Sequence, residues 1–190
     1  MSTIPSGPYF KVLSPSLGAY HGGSGKWTVG EWRSVRGVLE PCAVGLHIVT
    51  AAQLPGWLGP VICPFEPAPD TEIIDADDKL VCRKGRIGEP YANWNERTMR
   101  LFACDCAERV LANFEERYPD DKRPREAIAV ARRFANGEAT REELGAATSS
   151  ATYSAISSGA YSAAFSATSS AERAWQSERL MEILGVTVNA

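Results

Sequence analysis

The spacing of apolar residues along the chain changes near residue 90. Before it, β-branched and aromatic residues come in short runs: "PYFKVLS", "EWRSVRGVL", "VGLHIVT", "PVICPFE" and "DKLVCRKGRI". Turn-forming stretches such as "HGGSGKW" and "EPAPD" separate them. This pattern predicts strands joined by turns. One short helix is expected among them, capped by Thr50 and running from Ala51 to Leu58 in spite of Pro55.

After residue 90 the period becomes helical. Asn95 is placed to cap a helix on which Met99, Phe102, Cys106, Val110 and Phe114 recur at a mean step of about 3.75. Pro119 ends it. A second helix opens with Pro124 as its first helical residue, turns Ala127, Ile128, Ala131 and Phe134 inward, and stops at Asn136-Gly137, a left-handed cap. Thr140 and Glu143 form a capping box for a third.

The third helix leads into Ala146–Ala171, 26 residues without a charge, of which 19 are Ala, Ser or Gly. Small residues recur in fours at Ala147, Ala151, Ala155, Gly159, Ala163, Ala167 and Ala171. That order argues against a linker, and the many Ser and Thr residues argue against a membrane span. Small side chains let a neighbouring backbone approach closely, so the stretch predicts tightly packed helices. A single helix from Thr140 to Leu184 would be about 67 Å long, too long for a domain of this size. A break is expected at Ser157–Gly159, with the amphipathic segment "AERAWQSERLMEIL" closing the bundle. The predicted fold is α+β: a small β-rich domain over 1–90 and an all-α, Ala/Ser-rich bundle of about four helices over 91–190.

Composition narrows the function. Twenty basic against 23 acidic residues leave a net charge of −3, and neither half departs far from that balance. The basic face that nucleic acid would require is not indicated. The five cysteines are odd in number, and "MSTIPSGPYFKVLSP" lacks the apolar core of a secretory signal, so reduced thiols and a cytoplasmic location are expected. Cys42, His47, Cys63 and Cys82 are of zinc-ligand type but lack a paired C-x-x-C knuckle, so no metal is expected. Cys106 falls on the apolar face of its helix and is expected in the core.

In the helical half, Glu108 and Glu115 lie on one side of the first helix, in principle an acid–base pair. No histidine accompanies them in sequence. Asp121, Arg123, Arg125, Arg132 and Arg133 offer a charged patch for a partner; the interhelix turn is equally a place where carboxylates and guanidinium forks hold helices together. The segment "CAERVLANFEERYPDDKRPREAIAVARRFANGE", with the helical tail after it, resembles an all-α family of immunity proteins found beside polymorphic bacterial toxins. The resemblance covers roughly residues 94–184 and implies a non-catalytic, inhibitor-type module of a bacterial or phage conflict system whose partner is another protein.

Two likenesses belong to the β-rich half. "SPSLGAYHGGSGKW" with "LEPCAVGLHIV" is similar to uncharacterised domains of phages and mobile elements, which leaves a phage structural protein as a further reading. "AYHGG", around His21, and "GLHIVT", around His47, resemble the first two motifs of ADP-ribosyltransferase-like enzymes. That resemblance implies NAD as cofactor, with Glu66 in "CPFEP" as the catalytic carboxylate. The bland alternative is that His21 ends a strand before a glycine turn and His47 points off a half-buried strand.

Overall fold

A computed structural model describes residues 7–158 and 170–187. The fold is α+β, and the described residues form a seven-stranded antiparallel sheet followed by four helices. Two compact units divide the chain: Met1–Asn95 with Ser177–Ala190, and Glu96–Gln176.

The strands are β1 (Tyr9–Leu13), β2 (Arg33–Ser34), β3 (Leu46–Thr50), β4 (Val61–Pro67), β5 (Ile73–Asp75), β6 (Leu80–Cys82) and β7 (Lys84–Ile87). They lie in the order β2-β7-β4-β1-β3-β6-β5. Since β6 and β7 stand on opposite flanks yet only Arg83 separates them in sequence, the sheet must curl until its flanks meet. Arg83 is the clasp: its guanidinium reaches the Glu72 carboxylate and, at 2.8 Å, the Gly37 carbonyl. Leu13, Leu46, Ile48, Cys63, Phe65, Leu80, Cys82 and Ile87 line the inside of the curl around Trp27.

Three expectations are revised here. "DKLVCRKGRI" is two strands because the chain changes sheet partner at Arg83, from β3 and β5 to β2 and β4. "EWRSVRGVL" pairs only over Arg33–Ser34; the Val35 amide turns to the Arg83 carbonyl, and Gly37 adopts a left-handed φ of 93°. The helix expected over Ala51–Leu58 is a single 3-10 turn, Leu54–Gly56. The Thr50 amide donates to Gln53 Oε1 at 3.0 Å as a helix start would, but Pro55 has no amide hydrogen to carry an α-helix onward.

The helices are α1 (Glu96–Arg117), α2 (Arg123–Ala135), α3 (Arg141–Ser158) and α4 (Ser170–Leu184). α1 begins one residue after Asn95, and α2 carries proline in its first turn and is capped by Asn136, with Gly137 at a φ of 77°. The capping box forms in full: the Thr140 amide donates to Glu143 Oε2 at 2.7 Å and the Glu143 amide to Thr140 Oγ1 at 3.1 Å. α1 packs on α2, and α2 on α3. On α1 the buried thiol is Cys104, with Phe102 and Leu111, while Cys106 is only half-buried. The expected break at Ser157–Gly159 falls at the edge of the described residues, and the small residues Gly159, Ala163 and Ala167 lie outside them. Among the described residues no helix is long and apolar enough to cross a membrane. The end of α4 counts with the sheet unit, where Leu180, Met181 and Leu184 are buried and Ser177 Oγ donates to the Ala51 carbonyl at 2.7 Å.

Candidate functional site

The sheet has a gap. β1 pairs with β4 along its whole length but with β3 only at Tyr9↔Thr50 and Phe10↔Val49. Beyond those pairs β3 continues on β6, so the two central strands part. A cavity of about 700 Å³ opens there, with Lys11 and Val12 on one wall and Leu46, His47 and Ile48 on the other. Lys11 Nζ bridges the opening by donating to the His47 carbonyl at 2.6 Å, an acceptor left over where the ladder stops.

Loops carry the rest of the lining. Gly22 and Gly23, both at left-handed φ (82° and 86°), turn the loop that presents Tyr20 and His21. The His21 ring stands edge-on between Tyr20 and Trp57, at 4.8 and 5.1 Å. Its Nε2–H donates to the Trp57 carbonyl at 2.9 Å. Trp57 is fixed in turn, its indole N–H donating to the Asp78 carbonyl at 2.8 Å. Trp27 lies under two cations, Lys11 Nζ at 5.5 Å and the Arg33 guanidinium at 5.0 Å from its ring centre.

The charge here is one-sided. Lys11, Arg33, Arg36 and Lys79 all line the cavity, and no aspartate or glutamate does. Burial, reinforced by the neighbouring Arg33 charge, lowers the Lys11 ammonium to about 8. His47 is also lowered, first by burial and then by the charges of Lys11 and Lys79. Lys79 is raised, chiefly through its bond to Asp78 at 2.8 Å. The Cys42 amide donates to His47 Nε2 at 3.0 Å, so that nitrogen carries no proton and its lone pair is occupied. His47 thereby ties down Cys42, which holds a left-handed φ of 64°, a conformation that costs a non-glycine residue about 1–2 kcal/mol.

His21 and His47 thus share one cavity, and Glu66 does not join them. The register sets Glu66 opposite Arg86 on β7; it is exposed, and Arg86 Nε donates to it at 2.8 Å. The zinc-type set is dispersed as well. Cys63 and Cys82 are buried inside the curl, Cys42 is exposed, and the described residues contain no cluster able to hold a metal ion.

In the helical unit the charged residues proposed for a partner are engaged in ion pairs within the unit. Asp121 accepts from Arg123 at 2.9 and 2.7 Å within the α1–α2 turn. Arg125 forks onto Glu115, Arg132 bridges Asp105 and Glu108, and Arg133 reaches Glu143 at 3.3 Å. These contacts lace α1 to α2 and α2 to α3. Glu108 and Glu115 each face a guanidinium, and Arg125 holds the Glu115 carboxyl below its ordinary value, which suits a fixed ion pair better than proton transfer.

Sequence reasoning overlooked Lys11, Arg33, Arg36, Lys79, Trp27 and Trp57 as site residues. They are scattered over some 70 positions and meet only because the sheet curls and splits.

Comparison with known proteins bears on the other half of the chain. Residues 89–169 match the model of a family described as "Imm-5 like putative immunity protein". No curated protein and no solved structure matches the chain. The matched segment contains α1, α2 and α3 and supports an immunity-type role for this half. It begins at residue 89, so the likeness of the N-terminal half to phage domains draws nothing from it.

Proposed function

We propose that the chain is a non-catalytic protein-binding module of immunity or inhibitor type, acting in the cytoplasm in a bacterial or phage conflict system. Its partner is a toxin or defence component, and the helical unit makes the contact. The observation that carries this reading is the family match over 89–169. The ion-pair lacing of α1, α2 and α3 agrees with it, since a rigid, pre-organised helix face loses little freedom on docking. In this reading Asp121, Arg123, Arg125, Arg132 and Arg133 hold the binding surface in shape, and the partner meets the exposed side chains between them.

Co-expression with the product of the adjacent gene, followed by affinity purification, tests the proposal. One stoichiometric protein partner is expected, with growth protection where that product is toxic. Failure to form any complex, together with release of nicotinamide from NAD by the isolated chain, would overturn it in favour of the enzyme.

A further inference from the structure

Within the sheet unit, Arg83, Arg86 and Arg179 are each ion-paired with a glutamate. Arg33 and Arg36 are not. Arg33 reaches only the Lys26 and Ser24 carbonyls, at 3.3 and 3.4 Å, and both arginines line the cavity. The half-buried Lys11 beside them bonds a carbonyl and no carboxylate. The fourth cation, Lys79, is answered by Asp78. A chain of net charge −3 therefore gathers into one concavity three cations that have no counter-ion among the described residues. Two of them stand over the Trp27 ring, and the Arg33 charge bears on Lys11.

Such an arrangement costs stability unless an anion enters. The cavity volume of about 700 Å³ falls within the range of small-molecule sites, about 300–1,000 Å³, and exceeds what an inorganic ion fills. A monocarboxylate would answer one of the three charges. Adjacent phosphates place several within a few ångströms, and the guanidinium fork matches phosphate oxygens in pairs. Exposed Tyr20 on the same lining offers a face for the organic part.

We infer that the opening between β1 and β3 binds the diphosphate group of a small molecule, held by Lys11, Arg33 and Arg36. The site lies wholly in the sheet unit, apart from the α1–α3 segment that carries the immunity-type reading, and the two stand or fall separately.

Inorganic pyrophosphate is the minimal probe, measured by titration calorimetry and thermal unfolding against sodium chloride of equal ionic strength. Pyrophosphate at saturation is expected to raise the melting temperature of the full chain by about 3 °C or more. Arg33→Gln is expected to weaken binding at least tenfold. Arg36→Gln, whose side chain is exposed and makes no bond among the described residues, tests the same site without risk to folding and should weaken it severalfold. Arg86→Gln, outside the cavity, should bind as the wild type does. No pyrophosphate shift beyond that of chloride, or equal affinities in Arg36→Gln, Arg33→Gln and the wild type, would overturn the inference.

Discussion

Lys11 shows how one residue can be placed for a ligand at the expense of the fold. Burial and the Arg33 charge lower its ammonium to about 8, so the unfolded chain holds this proton more tightly than the native one. Between about pH 8 and the ordinary lysine value, stability should therefore rise with pH on account of this group. The buried thiols titrate in the same region with the opposite sign, since burial pushes Cys63 and Cys106 up to about 11 and raises Cys82 and Cys104. The clean measurement is thus a difference: the melting temperature of the wild type relative to Lys11→Met should increase from pH 7.5 to pH 9.5. A flat difference would mean that Lys11 is well hydrated. The thiols themselves give a second prediction. Exposed Cys42 should react with an aromatic disulfide reagent at once at pH 8, half-buried Cys106 more slowly, and Cys63, Cys82 and Cys104 only on unfolding. Two or more thiols reacting at equal rates in the native protein would contradict the burial described.

Between elements, local chemistry and tertiary packing divide the work. The α2–α3 junction is written in the sequence: Asn136-Gly137 stops one helix, and the Thr140–Glu143 box starts the next with both reciprocal bonds made. Thr140→Ala should cost about 1 kcal/mol, read from denaturant unfolding, while Thr140→Ser should restore most of it. Strand limits were less legible. β6 and β7 form one continuous β-rich run, and nothing in its composition says that Arg83 is where the chain leaves one flank of the sheet for the other. The 3-10 turn at Leu54 shows the reverse: the helix start at Thr50 is sound, and Pro55 keeps it from continuing as an α-helix.

Across the whole molecule, the last residues matter more to the sheet unit than their position suggests. Ser177–Ala190 counts with Met1–Asn95, and Leu180 is fully buried there. Leu180→Ala should cost about 2–5 kcal/mol and reduce hydrogen-exchange protection in the sheet. The exposed neighbour Glu178→Ala should stay within about 0.5 kcal/mol of the wild type. If Leu180→Ala left the sheet amides unchanged, the division of the chain into these two units would be wrong. The same division separates the two functional readings, since the family match covers residues 89–169 and the cationic cavity lies within the other unit.

The sequence by itself determined what short-range physics controls: a β-rich half and a helical half, the proline start and Asn-Gly stop of α2, the capping box of α3, and the turn at Pro119. It also carried the family resemblance, because the runs from Cys106 to Glu138 are contiguous. Only the tertiary structure decided where charges meet. Asp121, Arg123, Arg125, Arg132 and Arg133 read equally as a patch for a partner or as ties between helices, and only helix packing set Glu115, Asp105, Glu108 and Glu143 against Arg125, Arg132 and Arg133. His21 and His47 read as parts of one motif set with Glu66, but strand register turned Glu66 to Arg86. Lys11, Arg33 and Arg36 carried no signal, because a strand, a strand edge and a loop become neighbours only once the sheet curls and its two central strands part.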